Sequence, residues 1–238
     1  LLCLAEGRSI PISELVGREV PVQTMYPDGR IGTALSDAVW RVGRRPVFEV
    51  RLASGRSIRA TAEHRLYGLD GWNKIKDLKN GDRLALARRI PEPQSMTDWS
   101  DEKLILLGHL ICDGSYLSGQ PMRYTTSSEE NSEAVRSSVE QGFGAPVKRY
   151  AGQRSWHQLL ISGNGNRWRP ERVNKWLREL GIFNQRSYEK RIPADIFKLR
   201  NDRMALFLRH LWATDGCIHT RTTGSSIIYY STNSMDLA

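Results

Sequence analysis

Two apolar helical segments, each closed by Asp-Gly, constrain this chain more than any other feature. "LLGHLICDG" runs from Leu106 to Gly114, and about a hundred residues later "LRHLWATDG" runs from Leu208 to Gly216. Apolar side chains cover nearly every face of each segment, which predicts helices buried all round rather than amphipathic ones. An aspartate at a helix C-terminus is badly placed for the helix dipole, which favours cations there. The glycine that follows is expected to supply a left-handed terminating turn. Two such segments predict helices packed on each other, with both carboxylates emerging at one end. Carboxylates brought together raise one another's pKa unless a cation lies between them. A divalent cation with a taste for hard oxygen ligands, such as Mg2+, resolves that repulsion. The same residues also read as two core helices with ordinary glycine caps, and the segments alone leave both readings open.

The 238 residues suffice for one large domain or two modest ones with real cores. No apolar run approaches the length of a transmembrane helix, so no membrane partner is expected. The start "LLCLAEGRS" has neither a basic region nor an apolar stretch of signal-peptide type. Three cysteines without a close pair (Cys3, Cys112 and Cys217) fit neither a disulfide framework nor a zinc ribbon. A reducing cytoplasmic location is the expectation. The net charge is +9, and its surplus is local. Residues 121–200 carry 15 Lys or Arg against 8 Asp or Glu, a net of +7, interleaved with Trp and Tyr. Such a segment fits nucleic acid; a merely basic surface fits the charge equally well.

Residues 1–92 read as strands: "EVPVQT", "PVFEVRL", "RSIRAT" and "RLALARR" alternate, with "PDGR", "ASGR" and "LDGW" as turns. An internal echo, Ile12-x-x-Leu15-x-Gly17-x-x-Val20 against Ile75-x-x-Leu78-x-x-Gly81-x-x-Leu84, predicts two copies of one small β unit. Residues 93–102 form a linker ending in Ser100, a helix N-cap candidate. Residues 103–200 then alternate in type: the first apolar helix, strand 122–127, helix 129–141, strands 146–150 and 155–162, and helix 171–180. Residues 201–238 start the pattern again at the second apolar helix. The expected fold is an all-β region followed by an α+β domain, in which an α-β-β-α unit starts over at Leu208.

The two Asp-Gly segments resemble the paired motifs of LAGLIDADG homing endonucleases, and "YEKRIP" (188–193) is similar to the lysine-containing block of intein-borne members. Upstream, "CLAEGRSI" from Cys3 resembles the first block of an intein splicing domain. "GRSIRATAEHRLYGLDGW" (55–72) resembles the second, with its Thr-x-x-His at Thr61 and His64. The wording is most like inteins inserted in bacterial replicative DNA helicases. The resemblance implies a Hint-type all-β splicing region, cut short at its C-terminal end, followed by an α+β endonuclease domain of one αββαββ half and the beginning of another. It further implies a monomer with pseudo-twofold symmetry, a long asymmetric site on double-stranded DNA, and a flanking host protein, the extein, of helicase type.

In that framework Asp113 and Asp215 are the expected metal ligands and catalytic carboxylates, with Mg2+ as cofactor. The metal would activate water and stabilise charge on the phosphate. Lys190 would assist as a peripheral charge; a solvated surface lysine is the plainer reading. Arg123, Lys148, Arg149 and Arg154 are the expected DNA contacts, on strands forming a saddle over the duplex. Period-2 alternation puts Arg123 with Thr125 and Lys148 with Tyr150, without fixing which face is outward. For splicing, the Cys3 thiolate would attack the Leu2 carbonyl, aided by Thr61 and His64. Two departures from the family pattern stand out. His210 occupies the position of a small residue at the helix contact, which predicts helices pushed apart, and the terminal His-Asn block is absent. Two further functional readings follow: a catalytically inactive DNA-binding module of the same fold, or an autoprocessing domain that cleaves without ligating.

Overall fold

Glycine-punctuated short strands occupy the chain as far as Pro91, and helices begin only after it. The computed structural model describes residues 2–94, 97–152 and 155–238. It divides into two units, Leu1–Ala5 with Ser9–Pro91, and Glu6–Arg8 with Glu92–Ala238.

The first unit is built from antiparallel pairs: β1 (Leu2–Cys3) with β2 (Ser9–Ile10), β3 (Pro21–Met25) with β4 (Ile31–Leu35), β5 (Val47–Arg51) with β6 (Ser57–Thr61), and β7 (Arg65–Gly68) with β8 (Gly71–Lys74). The internal echo becomes two 3-10 turns, Ile12–Leu15 and Ile75–Asp77. Each is followed by a glycine in the left-handed region, Gly17 at φ +80° and Gly81 at φ +97°. Leu4, Leu15 and Val20 form a small core. Val47, Phe48, Ile58, Trp72 and Leu86 stay exposed, because two-stranded ladders bury little on their own. The expected strand at "RLALARR" reduces to a single bridge between Gly68 and Leu84.

The second unit opens with α1 (Asp101–Asp113), entered from Ser100 at the N-cap position, whose side chain makes no capping bond to the backbone. Then follow β9 (Gly114–Ser115), β10 (Met122–Thr126), α2 (Glu129–Phe143), β11 (Val147–Ala151), β12 (His157–Ile161) and α3 (Arg172–Glu179). The four strands form one antiparallel sheet in the order β11-β12-β10-β9. α4 (Asn201–Asp215) leads into a hairpin of β13 (Gly216–His219) and β14 (Ile227–Tyr230). α1 and α4 pack on each other, and α2 packs on α1. The core gathers Leu104, Leu106, Leu107, Leu110 and Ile111 of α1 with Tyr124, Leu159 and Ile161 of the sheet and Phe207 and Leu211 of α4.

Two expectations about the apolar helices are corrected. α1 is buried almost all round, but α4 buries only Phe207 and Leu211 and exposes Leu208 and Trp212. The four-stranded sheet and α2 cover α1, whereas among the described residues α4 is followed by a two-stranded hairpin alone. The glycines after the aspartates are also not left-handed: Gly114 has φ −79° and Gly216 φ −80°, both extended. They are glycines because the chain doubles back against the last turn. A Cβ on Gly114 would lie 2.5 Å from the Leu110 oxygen, and one on Gly216 would lie 2.3 Å from the Trp212 ring.

Candidate nuclease and splicing sites

The α1–α4 contact depends on one missing side chain. A Cβ on Gly108 would meet the Leu211 nitrogen at 2.9 Å and His210 at 3.0 Å, so glycine lets the two backbones approach. His210 does not push the helices apart. Its ring turns toward α1, and its Nδ1 lies 3.1 Å from Nε2 of the fully buried His109. His109 Nδ1 in turn lies 3.0 Å from the Tyr124 hydroxyl on β10. Burial, then the neighbouring His210, lowers His109 to about 4. Neutral imidazoles with one proton per contact therefore link both helices to the sheet.

Both motif aspartates are the last residues of their helices and precede the strands β9 and β13 directly. Partial burial raises the Asp113 carboxyl to about 6, with the nearby charge of Asp215 adding to it and that of Lys190 opposing it. The residues at the second helix end are tied in place: Asn131 on α2 donates to the Ala213 carbonyl at 3.1 Å, and Ser231 N donates to the Asp215 carbonyl at 3.1 Å. Cys112 packs between the helices, its sulfur 2.9 Å from the Tyr230 hydroxyl, and burial raises its thiol to about 11. It is not a nucleophile in that state. Carboxylate oxygens are hard ligands of the kind that divalent cations take. Among the described residues no group of three or more His, Cys, Asp or Glu could hold a metal, so any ion there would complete its shell from water or phosphate.

Lys190 is a buried lysine, 6% exposed, and not a solvated one. Its Nζ donates to the carbonyls of Leu110, Cys112 and Gly114 at 3.3, 2.9 and 2.8 Å. It thereby caps the C-terminal end of α1 and sets a positive charge under the aspartates. Desolvation lowers its pKa, while the Cys112, Asp113 and Asp215 charges oppose that shift. Ser234 fixes the segment by donating to the Lys190 carbonyl at 2.6 Å. Sequence reasoning missed this capping role, since nothing in "YEKRIP" points back to the end of a helix about eighty residues earlier.

The sheet has one covered face, with Met122, Tyr124, Leu159 and Ile161, and one open face. Register aligns Lys148, Leu160, Arg123 and Ser115 in one row of the open face, and Tyr150, Gln158 and Thr125 in the next. Arg123 and Lys148 are exposed there and make no ion pair among the described residues. Arg149 is corrected as a candidate of the same kind. Alternation turns it to the opposite face, where it pairs bidentately with Glu129 of α2, both contacts at 2.6 Å. Arg154 lies outside the described residues.

In the first unit Cys3 is exposed, its sulfur 3.4 Å from the Ser9 hydroxyl. Thr61 ends β6, and His64 closes a tight turn by donating its N–H to the Thr61 carbonyl at 3.0 Å. Glu63 pins that turn to β8 and the turn after it through Lys74 and Lys76, at 2.7 and 2.6 Å, and those partners lower its carboxyl to about 2. Among the described residues no hydrogen bond joins Cys3 to Thr61 or His64.

Comparison with known proteins adds three findings. Residues 202–238 match the family described as LAGLIDADG-like domain. Over its whole length the chain is 38% identical to 26% of the replicative DNA helicase DnaB of Rhodothermus marinus. It is 35% identical, again over its whole length, to 28% of the DnaB helicase of Synechocystis sp.. The chain thus spans about a quarter of the length of these curated relatives. Among solved structures, a crystal structure of an Ssp DnaB mini-intein variant is 29% identical, covering 38% of this chain and 58% of that one, with a TM-score of 0.37.

Proposed function

We propose that this intein-like chain with a LAGLIDADG-type domain cleaves duplex DNA at the Asp113–Asp215 pair. The observation that carries the reading is the joint placement of two carboxylates at the ends of packed helices, where burial first and then the charge of Asp215 raise Asp113 to about 6. An open strand face with Arg123 and Lys148, which make no ion pair among the described residues, lies in the same unit. Asp113 and Asp215 would hold Mg2+, which when bound supplies an activated water and charge stabilisation at the phosphate. Arg123 and Lys148 bind and orient the duplex through its phosphates. Lys190 spends its three N–H groups on the carbonyls of α1, so it acts by fixing the helix end and by its charge rather than by touching DNA.

The first unit carries a second activity in this reading. The Cys3 sulfur gives up its proton and forms a bond to the Leu2 carbonyl carbon; the carbon–nitrogen bond breaks, and the nitrogen takes up a proton to leave as the free amine of Cys3. The exposed Cys3 thiol and the pinned Thr61–His64 turn support it. The likeness to two DnaB helicases supports a helicase-type host.

The test is a plasmid carrying the uninterrupted host-gene junction, incubated with the chain and Mg2+. Cleavage is expected, lost in Asp113→Asn with DNA binding retained within about tenfold, since the carboxylate touches phosphate only through the metal. Cleavage by Asp113→Asn at the native rate would remove the assignment. Binding without cleavage by the native chain would leave the inactive DNA-binding module.

A further inference from the structure

The loop between β12 and α3 carries the sequence "GNGNRWRP", residues 163–170, and at its tip Trp168 is 81% exposed. A tryptophan so exposed presents a large amphipathic ring to whatever binds beside it. The tip is also built stiffly. Gly163 and Gly165 take φ +69° and +70°, and a Cβ on Gly165 would lie 2.0 Å from the Arg169 oxygen. Asn166 accepts from the N–H groups of both Trp168 and Arg169 at 2.9 Å. Backbone bonds join Asn166 N to the Arg169 carbonyl and Glu171 N to the Asn164 carbonyl, each 2.9 Å. Arg172, held at φ +49°, donates to the Gly163 carbonyl at 3.2 Å. A left-handed arginine is strained and persists only where its surroundings fix it.

This framework presents Arg167, Trp168 and Arg169 together. The Arg167 guanidinium lies 4.8 Å from the Trp168 ring centre, and among the described residues neither arginine has an ion-pair partner. Two free cations flanking an exposed indole match a sugar–phosphate backbone, with the ring against the sugar and the guanidiniums on phosphates. Position in the fold supports the same partner. Ile161, the last residue of β12, pairs with Met122 and Val147, so the loop leaves the end of the sheet next to the Lys148–Arg123 row. Gly114 pairs with Tyr124, so Asp113 lies toward the opposite end of the sheet. Beneath the tip is a cavity of about 350 Å³ lined by Gln120, Asn164, Asn166, Arg167 and Asn174, and the buried Asn164 Oδ1 there has no hydrogen-bond partner among the described residues.

We infer that the 163–170 tip is a second duplex-DNA contact, gripping the backbone beyond the open strand face at the end remote from the carboxylates. The inference rests on the DNA reading of the second unit and extends it to residues outside the strands. Anisotropy of a labelled mixed-sequence duplex with the full chain, over a salt series, tests it. The electrostatic term is independent of sequence, so the probe does not need the native target. The double variant R167A/R169A is expected to flatten the slope of log K against log salt by about 1.8, two phosphates at about 0.9 each. W168A is expected to weaken binding about threefold, with W168F retaining most of the affinity, as loss of an apolar contact against the sugar predicts. All three positions are exposed, so urea melts should match those of the native chain. Native slope and affinity in both R167A/R169A and W168A, while K148A loses slope, would overturn the tip and leave the strand face standing. Salt-independent binding by the native chain would overturn both.

Discussion

Acid should unlock the helix pair through His109, and the size of the effect follows from its burial. Its imidazole ordinarily titrates at 6.5 and is lowered to about 4 in the folded chain, because protonation would place a charge where no water reaches and beside His210. A group lowered on folding contributes stability that is complete above its unfolded value and is lost as pH falls toward its folded value. The window therefore runs from about pH 6.5 down to about pH 4, and at 1.36 kcal/mol per pH unit the loss amounts to about 3 kcal/mol. Asp113 works against this. Raised to about 6 from 3.8, it takes up a proton over the same descent and restores stability, by an amount that solvent screening at its exposed edge reduces. Asp113→Asn removes that opposing titration and provides the background for the measurement. In it, urea midpoints followed by tryptophan fluorescence should fall more steeply between about pH 6.5 and pH 4 when residue 109 is His than in His109→Gln, which keeps a donor and an acceptor but does not titrate. The absolute stability of His109→Gln is immaterial; the difference in pH slope carries the test. Parallel pH curves for the two chains would refute the reasoning.

Lys190→Met should cost on the order of 3 kcal/mol, since three buried carbonyls lose their donor at once. Lys190→Arg should not restore it, a planar fork being unable to reproduce three convergent ammonium bonds; a loss below about 0.5 kcal/mol in urea would mean that water replaces the cap. Gly108→Ala should destabilise the second unit by about 1–3 kcal/mol, because the added methyl meets the α4 backbone at 2.9 Å, and an unchanged urea midpoint would show that the helices slide apart freely. Lys148→Ala should lower the salt slope of duplex binding by about 0.9, while Arg149→Ala leaves it unaltered, since Arg149 is already paired with Glu129; equal losses in anisotropy would return Arg149 to the DNA face.

Much of this protein is legible in the residues themselves. The apolar runs before Asp113 and Asp215, the alternation in β10 to β12, and the glycine turns of the first unit are local patterns, and local patterns dictate helix, strand and turn. The pairing of Arg123 with Thr125 and of Lys148 with Tyr150 follows from a period of two. What that period leaves undetermined is which of its two phases faces water, because a strand reads the same from either side. Only the packing of α1 and α2 against Met122, Tyr124 and Leu159 decided it, and the same decision sent Arg149 to Glu129. The two Asp-Gly glycines were visible in sequence, but the reason for them was not. Extended backbone doubling back on Leu110 and Trp212 is a steric fact between elements, not a preference of one residue. The cap that Lys190 sets on α1 and the imidazole link between His109 and His210 belong to the same class. Each joins residues some eighty to a hundred positions apart, whose proximity exists only once the core has closed around them.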